Sequence, residues 1–420
     1  MVMHDPPAHD RLRRAGLSEA GPTVGVVQQL SPARALALRM RSLLLRGILA
    51  SPGPHTRAGS AGPPDGRDPV GVADVVAWFG AMQAQDLTSV LWSLGTRLPG
   101  TTVGDVEAAL ERREALRTWP MRGTIHLVPP RDARWMLDLM GVRALAGAGA
   151  RRASLGLDDD VADRAVNVLG EALAGGKRLT RTECVAVLEQ SGISGAGQRG
   201  YHLLWYASQR GVTCIAPNVG KEQTFVLLDE WVPGDHHRPD RDEALATIAL
   251  RYFHSHGPAP RQDFAGWTGL PAADARRGIS AAGERLTTVE VGGREMVLDP
   301  ALLDTDTAGR DTANPAADAR DDVLALPGFD EYLLGFKDRS LMLAPEHKQA
   351  IIPGGNGVFQ ATIVRAGRVV GTWKRSASRS RTVVSVLPLV TLRAGDRRRV
   401  ERALEPYAHF TGRPVEVRWP

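Results

Sequence analysis

An α+β chain of three helix-then-hairpin modules in tandem, closed by a small β-rich domain, is what the sequence predicts. Three observations predict it. An order of helices followed by two short strands recurs along the chain. Loops rich in Pro, Gly and Ser, or in Asp, stand where that order breaks. A final segment is dominated by short β runs. The 420 residues suffice for two to four domains with their own cores. No run of 18 or more apolar residues occurs, so no membrane span is expected. The only cysteines are Cys184 and Cys214, which excludes a disulfide scaffold and a thiolate zinc site. The N-terminus lacks a secretory layout, so a cytoplasmic, nucleoid-associated location is expected.

Taken in order, residues 1–30 lack periodicity and read as a disordered tail. The first module, 31–150, carries helical segments at 35–49, 72–83 and 102–112, then the strand-rich RTWPMRGTIHLV. The stretch 51–69 reads as a long loop between its first two helices. In the second module, 151–238, Val161, Val166, Leu169 and Leu173 recur at helical spacing within 160–173. Thr180 and Glu183 form a capping-box signature that opens a second helix. A third helix over 198–210 ends at Gly211, and the strands VTCIA and TFVLLD follow around PNVGKEQ. The third module, 239–303, repeats this with helices at 243–256, from 261 and at 272–282, and a hairpin tipped by Gly292-Gly293. The acidic stretch 304–322 reads as a linker. Residues 323–420 contain VFQATIVR, RVVGTWKR and TVVSVLPLV, with a final helix at 398–407. Three helices and a two-stranded hairpin are the layout of a winged helix. The predicted fold is therefore three tandem winged-helix modules followed by a small β-rich C-terminal domain.

Winged helices most often bind nucleic acid, with one helix in the major groove, although some dock proteins. Arg181, Arg199, Arg261, Arg276 and Arg277 lie on or beside the candidate recognition elements; each also reads as an ordinary surface arginine. The formal net charge is +5, but residues 361–420 hold 13 Lys/Arg against 4 Asp/Glu. That asymmetry fits a polyanionic partner as well as a solvated basic face.

Gly80-Ala81-Met82-Gln83-Ala84-Gln85-Asp86, Leu116-Arg117 and Met121-Arg122-Gly123-Thr124-Ile125-His126-Leu127-Val128 resemble the AlkZ-like bacterial DNA glycosylases. Phe329 to Arg339 (FDEYLLGFKDR) and Gly367 to Arg375 (GRVVGTWKR) are similar to that family too. The resemblance runs from about Leu36 to the C-terminus and leaves out the tail and the 51–69 loop. It implies a tandem winged-helix enzyme that removes bulky N7-alkylated purines and unhooks interstrand crosslinks. It implies that Gln83 and Gln85 are the catalytic pair of a Gln-hydrophobic-Gln motif. A related branch carries Asp at the second position, so Gln85 points to the crosslink-unhooking branch. Duplex DNA carrying alkylated purines is the implied partner. Arg122, His126, Arg181, Arg199, Arg261, Lys374 and Arg375 are the candidate DNA contacts. No cofactor or metal is expected, and the protein is expected to be a monomer.

Glutamine has no useful pKa and cannot be a general base. An N7-alkylguanine is already cationic and leaves without protonation. The barrier lies in forming an oxocarbenium-like sugar and capturing it with water, which amide oxygens can orient while facing the developing charge. Residues two apart on a helix diverge by about 200°, so Gln83 and Gln85 can share a pocket only at a helix end. Asp86 and Thr88 are suitable caps for a helix over 89–98 and place the pair at such a junction.

Other groups are weaker candidates. His126 reads either as a packed strand histidine or as a DNA contact. Asp235-His236-His237 lies in a proline-bounded loop, and His254 with His256 would point to opposite helix sides, so a metal site is not expected. Asp330, Glu331, Lys337, Asp338 and Arg339 either surround the active site or form a salt-bridged structural cluster. Gly354-Gly355-Asn356-Gly357 is a turn with no following helix to make it a phosphate cradle. No lysine lies near Gln83 in sequence, so lyase chemistry is not expected. The alternative readings are a non-catalytic winged-helix regulator and a protein-docking scaffold. The Gln-Ala-Gln motif and the three module copies disfavour the regulator, and the basic C-terminal segment disfavours the scaffold.

Overall fold

Local capping signals set many of the helix boundaries in the computed structural model, which describes residues 27–45, 71–234, 237–304, 323–378 and 380–420. The longer helices are numbered in chain order. In α1 (Pro32–Ser42) the Ser31 hydroxyl accepts the Arg34 N–H, and proline occupies the first turn, where a missing N–H costs nothing. α2 (Val72–Phe79) stops at Gly80, whose φ of 75° is a conformation that favours glycine. It ends four residues short of the expected 72–83 helix, which leaves Gln83 outside any helix. α3 (Leu87–Arg97) is capped by Asp86, and α4 (Val103–Glu111) by a Thr102–Asp105 box. α5 (Asp159–Leu173), α6 (Arg181–Gln190) and α7 (Arg199–Gln209) follow. Both bonds of the Thr180–Glu183 box form, at 3.2 Å and 2.7 Å. α8 (Arg241–His256), α9 (Arg261–Thr268) and α10 (Ala272–Ala282) match the expected helices closely. The single helix expected over 398–407 is instead two, α11 (Ala394–Ala403) and α12 (Glu405–Thr411). Pro406 has no N–H to continue the first of them.

Three sheets join these helices. β2 (Met82–Gln83), β3 (Leu116–Met121), β4 (Thr124–Val128), β5 (Leu179–Thr180), β6 (Thr213–Val219) and β7 (Glu222–Leu227) form one sheet in the order β2-β4-β3-β6-β7-β5. The first two expected wings are thus not separate hairpins. They meet where Arg117 faces Ile215, and the buried Arg117 guanidinium donates to Ala216 O at 2.6 Å and Asn218 Oδ1 at 2.7 Å. Burial lowers that guanidinium to about 10. Pairing two strand edges satisfies their backbone groups, which separate wings would leave unpaired.

β1 (Gln28–Leu30) runs parallel to β8 (Thr287–Val291), which pairs with β9 (Arg294–Leu298). The expected tail 1–30 therefore ends in a strand; its first 26 residues, the 51–69 loop and 305–322 of the linker lie outside the described residues. Leu30, Ala35 and Leu38 pack on Val289, Val291, Met296 and Leu298. α1 was expected to belong to the first module, yet it sits on the third hairpin, and Arg39 Nε donates to Pro258 O at 2.8 Å. β10 (Val323–Leu326), β11 (Ala361–Arg365), β12 (Arg368–Ala377), β13 (Thr382–Pro388) and β14 (Val415–Arg418) form the last sheet, with β13 and β14 parallel. Its helix α12 returns to α3, where the Phe410 ring lies so close to Gly95 that a Cβ there would be 2.6 Å away. Among the described residues no helix is long and apolar enough to cross a membrane.

A buried ion pair ties the C-terminal segment to α3. Arg97 donates twice to Asp330, at 2.8 Å and 3.0 Å, and Ser93 Oγ adds a third bond at 2.6 Å. Both side chains are almost fully enclosed, at 0% and 3% exposure. These partners outweigh burial and hold the Asp330 carboxyl below its ordinary range. Replacing one member leaves the other charge unmatched, so Asp330→Asn is expected to lower unfolding free energy by about 3–5 kcal/mol in denaturant melts. Arg210→Ala, which breaks a half-exposed pair with Asp163, is expected to change it by at most about 1 kcal/mol. Because the folded Asp330 pKa lies below the unfolded one, its contribution is present above about pH 4 and is lost as pH falls through the folded value. Equal losses for the two variants would refute the ranking.

Candidate active site

Gln83 lies in β2, a two-residue edge strand, and Gln85 in the link from β2 to α3. The helix-end geometry expected for the pair is therefore replaced by an extended one. The two amides are linked through the backbone, with Gln83 at the strand end and Gln85 in the bend that follows it, without a helix terminus between them. Asp86 does cap the next helix, accepting Ser89 N at 3.1 Å, but the helix begins at Leu87 rather than Ser89.

β2 is held by β4, with Met82 opposite Leu127 and Gln83 opposite His126. Ala84 N donates to Ile125 O at 2.8 Å. Beyond it side chains continue the ladder: Gln85 Oε1 accepts Ile125 N at 3.3 Å, and Gln83 Oε1 accepts Gln85 N at 2.8 Å. A backbone N–H can only donate, so in both glutamines the oxygen, not the NH2 group, is the bonded atom. Each oxygen retains a second lone pair. Gln83 is 8% exposed and Gln85 is exposed.

Arg122 and Gly123 make the two-residue turn between β3 and β4, with φ of 55° and 69°. Two positive φ values are what a type I′ hairpin turn requires. In arginine the first is a strained conformation. The Arg122 guanidinium donates to His126 Nε2 at 3.2 Å, so that nitrogen carries the lone pair, and Nδ1–H donates to Thr124 O at 2.9 Å. His126 has no exposed surface. Burial, then the Arg122 charge, lower its pKa to about 3, so the ring is neutral at physiological pH. The expectation that His126 contacts DNA is corrected here: it is a packed strand histidine that supports Arg122.

Behind β2 lies Glu331, one of the acidic residues that the sequence left between an active-site role and a structural cluster. Gln83 N donates to Glu331 Oε1 at 3.0 Å. Glu331 Oε2 accepts Trp267 Nε1–H at 3.0 Å and lies 3.3 Å from His256 Nε2. Burial alone would raise the Glu331 carboxyl, but His256 and the Gln83 N–H outweigh it, and the net shift is downward. Sequence placed Glu331 in a cluster of undecided role; Trp267 carried no signal at all. Of that cluster, Asp338 pairs with Arg294, and Arg339 Nε donates to Leu333 O. Those two are consumed internally, whereas Lys337 is exposed.

The remaining arginines and lysine are dispersed. Arg181 is exposed at the start of α6 and lines an open cleft of about 810 Å³ with Gly123, Arg151, Gln198, Tyr201 and Trp205. Arg199 donates to the carbonyls of Leu155, Gly156 and Ser194 and ties that loop. Arg261 is half-exposed at the start of α9, the helix that carries Trp267. Lys374 is exposed on β12, and the neighbouring half-buried Arg375 donates to Tyr407 OH at 3.2 Å. Arg277 pairs with Asp242. His254 bonds Asp299 while His256 faces Glu331, so the two rings do diverge. Among the described residues no group of three His, Cys, Asp or Glu could hold a metal ion. Cys184 and Cys214 are buried free thiols pushed up to about 12, too high for a nucleophile at neutral pH.

Comparison with known proteins bears on this arrangement. The profile of the family described as DNA glycosylase AlkZ-like matches residues 76–410. The chain is 32% identical over 321 residues to the interstrand DNA cross-link repair glycosylase of Streptomyces sahachiroi, covering 72% of this chain and 81% of that protein. Its structure superposes on Streptomyces sahachiroi DNA glycosylase AlkZ with a TM-score of 0.71 and 25% identity, over 93% of this chain and 100% of the other. Matched over most of its length in sequence and in structure, the chain belongs to the AlkZ-like family of DNA glycosylases.

Proposed function

We propose that the protein is a monofunctional DNA glycosylase of interstrand-crosslink repair that hydrolyses the N-glycosidic bond of bulky N7-alkylated purines. The observation that carries this reading is the pairing of two side-chain amides, Gln83 and Gln85, beside a histidine that stays neutral. Such a site offers positioning and oriented dipoles without a proton donor. It suits a base that is already a cation, and it would serve neutral damaged bases poorly. The free lone pair of each anchored amide oxygen accepts a hydrogen bond from the attacking water or faces the sugar as positive charge develops at C1′. The tie of each oxygen to a backbone N–H fixes the amide before substrate arrives, so little reorganisation is needed.

The architecture is read as three tandem winged-helix modules and a β-rich C-terminal domain, with the first two wings merged into one sheet. Arg122, Arg181, Arg261 and Lys374 are assigned to duplex phosphates, with the protein acting as a monomer in the cytoplasm. The regulator alternative is not favoured, because a binding protein has no use for the anchored amide pair.

Gln83→Ala and Gln85→Ala are each expected to lower single-turnover release of N7-alkylguanine by about 10²–10³-fold, with duplex affinity nearly unchanged. Gln83→Ala should also lose about 1 kcal/mol of stability with its bond to Gln85 N. Gln85→Asp is expected to retain part of the rate. Wild-type release by both alanine variants would remove the catalytic assignment and leave a DNA-binding protein. The wild-type rate should be flat between about pH 5.5 and 8.5, since neither glutamine titrates and His126 protonates only near about 3. A bell-shaped profile would instead place a titrating acid or base in the site.

A further inference from the structure

We infer that Glu331 is the positioning residue of the glutamine pair, holding β2 in register through the Gln83 N–H so that both amides stay anchored. The inference rests on the reading of Gln83 and Gln85 as the catalytic groups.

β2 lies at the edge of its sheet, paired on one side only, with β4. Gln83 N–H points away from β4 and is buried. Left unmatched, such a group carries a substantial desolvation penalty. Glu331 Oε1 meets it at 3.0 Å, in the place a further strand would take. From there the bonds run in series. Gln83 Oε1 takes Gln85 N, and Gln85 Oε1 takes Ile125 N. Displacing β2 would loosen all three together.

Glu331 is itself firmly placed. Its second oxygen is bonded by Trp267 of α9 and approached by His256 of α8. His256 packs against Gly335 so closely that a Cβ there would be 2.3 Å from its ring. Phe329, just upstream, has φ of 59°, a strained value for phenylalanine. That turn leads into two successive buried carboxylates with separate partners: Asp330 takes Arg97 and Ser93, and Glu331 takes β2. The catalytic strand is thereby registered against α8, α9 and the C-terminal segment, not by its own two residues.

The test uses the full chain and four variants. In Glu331→Gln a single oxygen remains for two donors, Gln83 N–H and Trp267 Nε1–H, so Trp267 competes against the bond to β2. Trp267→Phe in the same background removes that competing donor. Trp267→Phe alone is the reference for the pair. Leu169→Ala, in the fully buried core of α5, controls for lost stability. Hydrogen exchange of the segment 82–86 and single-turnover base release are measured for each, with duplex affinity. In Glu331→Gln the segment is expected to exchange faster and release to fall by about 10²-fold, with affinity unchanged. The double variant is expected to regain most of both, to the level of Trp267→Phe. Leu169→Ala is expected to melt earlier without either change. A protected segment and wild-type release in Glu331→Gln would overturn the inference. So would the same loss in Leu169→Ala at equal folded fraction, or a loosened segment that releases base at the wild-type rate. Should the wild type itself release no base, the glycosylase reading falls, while exchange of the segment still decides whether Glu331 holds the strand.

Discussion

The buried contact between Arg97 and Asp330 is the constraint on which the arrangement around the site depends. Two charges removed from water are tolerated only when each is fully matched, and here the match is bidentate, with Ser93 and the Tyr332 N–H completing the carboxylate. Arg97 also donates to Leu43 O at the end of α1. One guanidinium therefore joins α1, α3 and the segment after 323, which are remote in sequence. Once Asp330 is held there, the adjacent Glu331 has little freedom, and it meets β2.

A second consequence follows from how the β2 edge is treated. Distant parts of the chain meet the polar groups around Gln83: Glu331 on one side, Ile125 and the Arg122–His126 pair on the other. The donors and acceptors are assigned without ambiguity, because backbone N–H groups and guanidinium only donate. The outcome is a site with fixed amides, a neutral imidazole and a carboxylate facing the backbone. Its polar groups are suited to holding water and stabilising charge, not to moving protons.

Merging the first two hairpins into one sheet has a structural logic as well. Arg117 bridges the seam from inside, and its loss of hydration is met by Ala216 O and Asn218 Oδ1. The third hairpin is extended instead by β1, so the start of the described chain completes its three-stranded sheet. The order of segments along the sequence and the order in which they pack are thus different.

Much was nevertheless legible in the sequence. The Thr180–Glu183 box, the ends of α9 and α10, the Gly292-Gly293 tip and the Asp86 cap are local, decided by hydrogen bonds and φ preferences within a few residues. The Gln-Ala-Gln motif was visible only through its resemblance to a family motif. Its geometry was misread because helical periodicity was extended past Gly80, where a positive φ ends α2. What only the tertiary structure decided is long-range. The partner of the Gln83 N–H lies 248 residues away, and that of Arg97 lies 233 away. Glu331 and Asp330 are ordinary acidic residues in the sequence; what distinguishes them is burial. The value of a buried charge depends on which distant donors surround it, and no local pattern of residues records that.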